Sequence, residues 1–236
     1  YVITNNYENA TQNSHNAHKA ILPRMWSGDH AQNYMDFTNV VEFKINPEYA
    51  HEQELVDIVS QFRKAYSSGR LDTEDYVSFL KSYGNYLIVE KPTTSDNIKF
   101  MTQFQFGYMY VRYLLWNFVG RQSDVQGKYD NEGNWLSGID FIDEIFLGSQ
   151  KNLPQDVLNN KGRNVYFFLP FILALVGIWY HSKKEWKSFY VLTILFLFTG
   201  LALKVYLNER PFEPRERDYA LVGSFYVFAM WIGFGV

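Results

Sequence analysis

Apolar residues are distributed very unevenly along the chain. Residues 1–160 are mostly polar with short apolar stripes, whereas residues 164–236 consist mainly of aromatic and aliphatic residues. A helix that crosses a bilayer needs roughly 20 mostly apolar residues. Three such runs are predicted to span the membrane, at about 164–181, 188–207 and 219–236. Short charged links join these runs, which argues against the alternative of three core helices in a water-soluble protein.

Lysine and arginine counts in the two links predict the orientation of these spans. The first link, 181–187, contains three lysines, and cytoplasmic links are enriched in such residues. It is therefore predicted to lie in the cytoplasm, which places residues 1–163 and the second link, 208–218, on the outer side. The second link contains three arginines, but its four acidic residues leave it without net positive charge.

Two amphipathic helices are predicted in the polar region. Apolar residues recur at helical spacing within 51–67, and Gly69 can end that helix. Asp72 has the side chain of an N-cap for a second helix, whose apolar stripe ends at Tyr83. We therefore expect residues 1–160 to form a mainly helical extracytoplasmic region, followed by a transmembrane region at 161–236.

An aromatic stretch near 97–120 allows two interpretations. Its length suits a bilayer, but Arg112 and several polar residues interrupt it. A charge near the centre of a span costs about 2.5–3.5 kcal/mol on insertion scales. We therefore predict an aromatic helix that lies at the interface or packs against the membrane helices. The alternative is a true span in which Arg112 faces a protein interior.

A short acidic helix is predicted at 139–147. It carries Asp140, Asp143 and Glu144, and paired carboxylates are one arrangement that acid–base catalysis uses. A solvated acidic helix face is the commoner role for such residues. We favour that role here.

Composition excludes several kinds of function. The net charge of −3 provides no basic face, so no nucleic-acid partner is expected. The chain has no cysteine, which excludes disulfides, cysteine-ligated zinc and thiol catalysis. No metal site is predicted either. The chain opens without Met and stops inside an apolar run, and we expect it to be a piece of a longer polypeptide.

The second link concentrates the candidate chemistry. Seven charged residues lie within ten positions, and Pro211 and Pro214 stiffen the backbone between them. An arginine side chain presents a planar fork that matches phosphate oxygens. A lipid-linked donor would bring a phosphate to this boundary between lipid and water. In the alternative interpretation, the charges pair with one another in a solvated turn.

The segment NERPFEPRERDYALVGSFYVFAMWIG, which begins at residue 208, resembles part of a known family. That family is a large group of Bacteroidota inner-membrane proteins, formerly a domain of unknown function. It is related to protein O-mannosyltransferases and to the GT-C glycosyltransferase superfamily. Four further stretches resemble the same family: LPRMWS at 22–27, GYMYVRYLLWNFVGRQSD at 107–124, GNWLSGIDFID at 133–143, and LGSQKNLP at 147–154.

The resemblance implies an α-helical integral membrane enzyme of the bacterial inner membrane, with residues 1–163 in the periplasm. Proteins of this superfamily transfer a sugar from a polyprenyl-phosphate carrier to an acceptor, often a Ser or Thr hydroxyl of an exported protein. Membrane lipid, the lipid-linked sugar and the exported acceptor are the implied partners. Apart from that possible donor, no cofactor is firmly implied.

The resemblance also suggests which residues bind the substrate. Arg215 and Arg217 are expected to contact the carrier phosphate, while Glu216 and Asp218 orient those arginines or a sugar hydroxyl. Two neighbours complete the candidate binding set: Arg210 and Tyr219. Residues in the other family-like stretches either line the same cleft or serve packing alone: Arg24, Arg112, Asn117 and Arg121.

No catalytic residue is assigned. In this superfamily the catalytic acid usually lies in the first extracytoplasmic loop, near the N-terminus of the full protein, whereas this chain resembles the middle of the family. A different class of function stays open beside the enzyme: a non-catalytic scaffold or partner subunit of a cell-envelope complex. Residues 1–160 would then form its docking face.

Overall fold

The computed structural model describes Met35 and residues 41–90, 93–125, 132–207 and 218–236. The chain is mostly helical and divides into two compact units, Tyr1–Phe104 and Gln105–Val236. The predicted division at residue 160 concerns which residues lie in lipid. Contacts between elements do not test that division, so it stays a prediction.

In the N-terminal unit, two short strands pair and two helices follow the first of them. Strands β1 (Glu42–Ile45) and β2 (Leu87–Glu90) are antiparallel, with Phe43 opposite Val89. The helices are α1 (Gln53–Ser67) and α2 (Thr73–Ser82), preceded by a single 3-10 turn at Pro47–Tyr49.

Aromatic side chains form the core of this unit. The rings of Phe62 and Phe79 are stacked with centroids 3.8 Å apart, and Phe43 contacts Tyr76 edge-on at 5.8 Å. The Tyr76 hydroxyl donates a 2.7 Å hydrogen bond to the carbonyl of Val41. The core therefore joins both helices to the strand region.

Both helix predictions in this unit are confirmed. Helix α1 buries Leu55, Val59 and Phe62, and Gly69 follows its end with a φ of +72°. At the start of α2, the Asp72 carboxylate accepts from the amide of Asp75, and the Asp75 carboxylate accepts in return. This reciprocal capping box satisfies donors that a helix start leaves unpaired.

The aromatic stretch near 97–120 is helical over most of its length. Helix α3 (Thr94–Phe100) is followed without a break by a π-helix at Met101–Val111 and by α4 (Arg112–Phe118). Arg112 is buried. The side chain thus lies in a protein interior, as the alternative interpretation required, while the position of the helix relative to a membrane stays a prediction.

A small antiparallel sheet follows α4. Strand β3 (Gly120–Arg121) pairs with β4 (Asn164–Val165), and Trp135 forms a bridge to Arg121 on the other side. Gly120 has a φ of +141°, and a Cβ there would lie 2.6 Å from the carbonyl oxygen of Asn164. Only glycine fits this central position. Two short helices lie between the strands in sequence: α5 (Asp140–Leu147) and α6 (Gln155–Leu158).

The apolar part of the chain folds into helices in the described residues. They are α7 (Leu169–Lys184), α8 (Trp186–Leu197), a π-helix at Phe198–Ala202, α9 (Leu203–Leu207) and α10 (Asp218–Phe234). The continuous helix Trp186–Leu207 is the one described helix that is long and apolar enough to cross a membrane. At about 1.5 Å per residue it would measure about 33 Å, against a hydrocarbon core of about 30 Å.

One detail of the predicted spans is wrong. The first run was expected to become helical at residue 164, but residues 164–165 pair as β4, and Phe167 and Phe168 have positive φ values of 50° and 58°. Helix α7 therefore starts only at Leu169. The first link, 181–187, is mostly helical, and Glu185 is the one residue between α7 and α8.

Pairs of contacting residues give the directions of these helices. From the start of α7 to its end, the partner on α10 shifts from Phe228 to Phe234, so α7 and α10 run in the same direction. Helix α8 runs the opposite way along α10: Phe189 contacts Trp231, whereas the following π-helix lies beside Gly223 and Ser224. The start of α7, the end of α9 and the start of α10 therefore share one end of the helices.

Candidate functional site

Most of the predicted binding residues lie outside the described part of the chain: Arg24, Arg210, Arg215, Glu216 and Arg217. Asp218 begins α10, but its side chain also lies outside the description. Tyr219 is 75% exposed on the first turn of that helix. The binding roles proposed for these residues stay predictions.

The ends of the second link can be placed. Leu207 ends α9 and Asp218 starts α10, at the same end of the helices as the small sheet. Lys204 lies one turn before Leu207, and a lysine at the end of a membrane span commonly extends its side chain to the lipid headgroups. The Lys204 side chain is instead only 3% exposed, so it belongs to the protein interior and not to the surface.

Arg112 joins two of the family-like stretches. Its Nε donates to the carbonyl of Tyr108 at 3.1 Å, and its Nη1 donates to the carbonyl of Gly133. The guanidinium also lies over the Tyr108 ring, 4.4 Å from the centroid. These contacts tie the stretch at 107–124 to the stretch at 133–143, which is the packing role that we considered for this residue.

Asn117 and Arg121 serve partly local roles. The Asn117 amide donates to the carbonyl of Tyr113 on its own helix. The Arg121 guanidinium lies 4.3 Å from the centre of the Trp116 ring, and the Trp116 indole donates to the carbonyl of Ser123. The Nε of Arg121 has no hydrogen-bond partner among the described residues. One donor of this arginine is thus buried and unsatisfied by the described residues.

Asp143 is buried, although we favoured a solvated acidic face for its helix. Its oxygens accept three hydrogen bonds of 2.8 Å, from the amides of Ser137 and Gly138 and from the Ser137 hydroxyl. Asp140 and Glu144 are exposed, as expected of a solvated face. Because all three donors hold Asp143 in place, its carboxylate has a positioning role and is poorly arranged for proton transfer.

Arg163 was not singled out in the sequence and lies close to this carboxylate. Its Nη2 donates to the side chain of Gln150 at 3.1 Å, and its Nη1 has no hydrogen-bond partner among the described residues. Burial lowers the pKa of Arg163, and the nearby Asp143 carboxylate acts in the opposite direction. Arg163 is separated in sequence from its neighbours, so no local motif would have identified it.

A second polar group lies at the opposite end of the helices. His181 is buried, and its Nδ1 accepts a 3.3 Å hydrogen bond from the Trp231 indole. Its Nε2 lies 2.7 Å from the Ser188 hydroxyl. This arrangement links α7, α8 and α10 through one imidazole. We assign it to helix packing, because an unpaired polar group between apolar helices would be costly.

A third polar contact lies between these two ends. The hydroxyls of Tyr110 and Ser224 are 2.5 Å apart, and Gly200 provides the space beside them. The pair connects the aromatic helix to α10 inside an otherwise apolar cluster. It is distant in sequence, since 114 residues separate the partners.

Within the described residues, no group of three or more His, Cys, Asp or Glu side chains is arranged to hold a metal ion. Several buried polar atoms that lack a hydrogen-bond partner in the described chain lie around the small sheet. Beside the two arginine nitrogens they include the Ser123 hydroxyl and the side-chain oxygen of Asn164, both buried without a hydrogen-bond partner in the described chain. Arg121 and Asn164 are direct partners across the β3–β4 pair.

Residues 1–102 match a family described only as a family of unknown function (DUF8416). No curated protein and no solved structure matches the chain. The matched segment falls in the N-terminal unit, whereas the second link and the small sheet lie beyond it. The glycosyltransferase resemblance of those later segments therefore stays a prediction.

Proposed function

We propose that this chain is part of a membrane glycosyltransferase of the GT-C type, which transfers a sugar from a lipid-phosphate carrier to exported proteins. In this proposal α7, the helix Trp186–Leu207 and α10 each cross the bacterial inner membrane. Residues 1–163 lie in the periplasm, and the second link contacts the carrier phosphate through Arg215 and Arg217.

The observation that supports the proposal is the position of Leu207 and Asp218, the described residues that flank the second link. Its two ends lie at the same end of the apolar helices as the small sheet, whose Arg121 and Arg163 each keep an unpartnered donor. Arginines from three segments of sequence would thus be concentrated near one boundary. A phosphate held there would bring the sugar of a lipid carrier to the water side of the membrane.

The proposed chemistry divides the work between binding and activation. Departure of the carrier phosphate develops negative charge, and arginines fixed beside it stabilise that charge before and during the reaction. A carboxylate from another part of the protein would act as a base and accept the proton of the acceptor hydroxyl. The residues of this chain would therefore bind and orient the donor.

The test compares two double variants. One removes two arginines from the second link, and the other removes two lysines from the first link. We expect the double variant Arg215→Ala/Arg217→Ala to lose glycosylation of periplasmic proteins in cells that lack the wild-type copy. The matched control is Lys183→Ala/Lys187→Ala, which removes two positive charges from the first link and should leave glycosylation unchanged. Membrane fractionation and thermal unfolding confirm that each variant is inserted and folded.

A second candidate function is a non-catalytic subunit of an envelope complex. Arg112 and Asn117 favour it, because both belong to family-like stretches and both donate hydrogen bonds to backbone carbonyls, which is a packing role. Unchanged glycosylation in the folded arginine variant would support this candidate and would refute the enzyme. Loss of partner proteins from affinity-purified membranes after mutation of residues in 41–90 would then identify the docking face.

A further inference from the structure

Helix α5 carries a strip of apolar side chains on its outer surface. Phe141 is 75% exposed, Ile145 is 63% exposed and Phe146 is 66% exposed. Successive residues of a helix turn by about 100°, so Phe141 and Ile145 lie side by side and Phe146 lies further round the same surface. A concentrated apolar surface of this kind is typical of a binding site for lipid or protein.

The buried side of α5 fixes which surface is turned outward. Asp143 accepts three hydrogen bonds from Ser137 and Gly138, and a rotation of the helix about its axis would break all three. Buried donors left without an acceptor are costly. The apolar strip is therefore held outward by the fold and is not an accident of a loosely attached helix.

The exposed apolar surface continues from α5 to the start of α7. The Trp135 ring contacts Phe146 at 5.4 Å and Phe168 at 5.9 Å, so one side chain connects the two elements. Beyond this contact, Phe167 and Leu169 are also exposed. Whatever phase or partner contacts the exposed apolar side chains at the start of α7 should therefore also contact those of α5.

We propose that α5 lies in the surface of the lipid bilayer, at the level where α7 enters it, with Phe141, Ile145 and Phe146 among the acyl chains. The 16 residues of α7 would span about 24 Å, less than a hydrocarbon core of about 30 Å, so its first residues lie near the boundary. The proposal rests on the membrane insertion stated above, but it does not depend on sugar transfer.

The charges of α5 predict how it binds. The helix contains no Lys or Arg, while Asp140 and Glu144 are exposed along its edge. Attraction to anionic headgroups is therefore not the source of its affinity, and burial of apolar area must supply it. The depth of α5 in the bilayer should therefore be the same in zwitterionic phosphatidylcholine and in bilayers that contain an anionic lipid.

The experiment uses spin labels on single cysteines, since the chain has none of its own. Labels are attached at Phe141→Cys and Ile145→Cys, with Glu144→Cys as the matched control from the same helix. Val191→Cys, on the exposed surface of the helix Trp186–Leu207, reports membrane insertion. Each variant is reconstituted in phosphatidylcholine bilayers and tested with oxygen, which concentrates in lipid, and with a water-soluble nickel chelate.

We expect the labels at 141, 145 and 191 to be severalfold more accessible to oxygen than to nickel, and the label at 144 to show the reverse. Nickel accessibility at 141 and 145 with a lipid-exposed label at 191 would overturn the proposal and leave membrane insertion intact. Nickel accessibility at all four positions would overturn both. Protection of 141 and 145 from both reagents would also overturn it, because a protein contact would then cover α5.

Discussion

The two units of the chain place their apolar side chains in opposite ways. Helix α1 of the N-terminal unit turns Leu55, Val59 and Phe62 into a protein core and presents polar residues to the surface. Helix α8, all of which the structure describes, has no buried residue, and its exposed side chains include Val191 and Leu195. The first helix buries its apolar side chains within the protein, whereas the second leaves apolar side chains exposed, as the proposed membrane span requires.

This difference in the exposure of apolar side chains indicates that the two units are stabilised in different ways. In the N-terminal unit, burial of aromatic rings away from water can drive folding. Between helices that face lipid, there is little such drive, so close packing and polar contacts between helices matter more. Substitutions in each unit test this contrast.

Substitution at the closest approach between α7 and α10 should reduce stability most. A Cβ on Gly177 would overlap the carbonyl of Trp231 on α10, so Gly177→Ala should force α7 and α10 apart. We expect a loss of about 3 kcal/mol or more in the free energy of unfolding. Unfolding by SDS in mixed micelles measures the change.

Gly233→Ala is the matched control for that variant. A Cβ at Gly233 meets no atom within 4 Å, so this substitution should be close to neutral. Equal losses for the two variants would contradict close packing between α7 and α10 as the source of stability.

Removal of the buried Asp143 carboxylate beside the small sheet should cause the second-largest loss of stability. Asp143→Ala leaves three donors on Ser137 and Gly138 without their acceptor, which should cost about 2–3 kcal/mol. Hydrogen exchange of the amides in 134–147 should accelerate accordingly. Asp143→Asn keeps one acceptor oxygen and should recover part of the loss, while Glu144→Ala, at an exposed position, should change little.

A buried tyrosine of the N-terminal unit should show a smaller effect and a pH dependence. Tyr76→Phe removes the hydrogen bond to the carbonyl of Val41, which should cost about 1 kcal/mol and accelerate hydrogen exchange in α1 and α2. Tyr83→Phe, which loses no described hydrogen bond, is the control. If both variants exchange at the wild-type rate, the Tyr76 hydroxyl does not stabilise this unit.

The sign of the pH effect follows from the pKa of the same side chain. Burial, with a smaller contribution from Tyr66, raises the pKa of Tyr76 to about 12 from an ordinary value of about 10. The fold therefore favours the neutral phenol, and this contribution to stability is complete below pH 10 and is lost as the pH rises towards 12. The tyrosinate absorbance that disappears in Tyr76→Phe should titrate near 12; a midpoint near 10 would show that Tyr76 is not buried.

The sequence predicts the N-terminal helices well because their signals are local. Asp72 has the side chain of an N-cap, and Asp75 is the acidic residue three positions later. Gly69 is a glycine just after the end of α1. These signals can be identified without knowledge of the fold. Each of these residues acts on its own helix end. The structure accordingly ends both helices within one or two residues of the predicted positions.

The sequence fails where distant segments decide the structure. The predicted start of the first apolar helix at 164 is wrong, because pairing of β4 with β3 requires a segment more than 40 residues away in sequence. The burial of Lys204 and Asp143 depends likewise on the three-dimensional surroundings. Of the candidate binding site, the sequence identifies a charged link but cannot show that Leu207 and Asp218, which flank it, lie at the same end of the helices as the small sheet.

The single residue between α7 and α8 has a consequence for how the chain is made. With Glu185 alone as the connection, and with His181 bonded to Ser188 across it, the two helices form a closed hairpin before any later segment is needed. A translating ribosome would release both within seconds of each other. If the proposed membrane insertion is correct, the two helices would enter the translocon as one paired unit, and α10 would join afterwards through the hydrogen bond from Trp231 to His181.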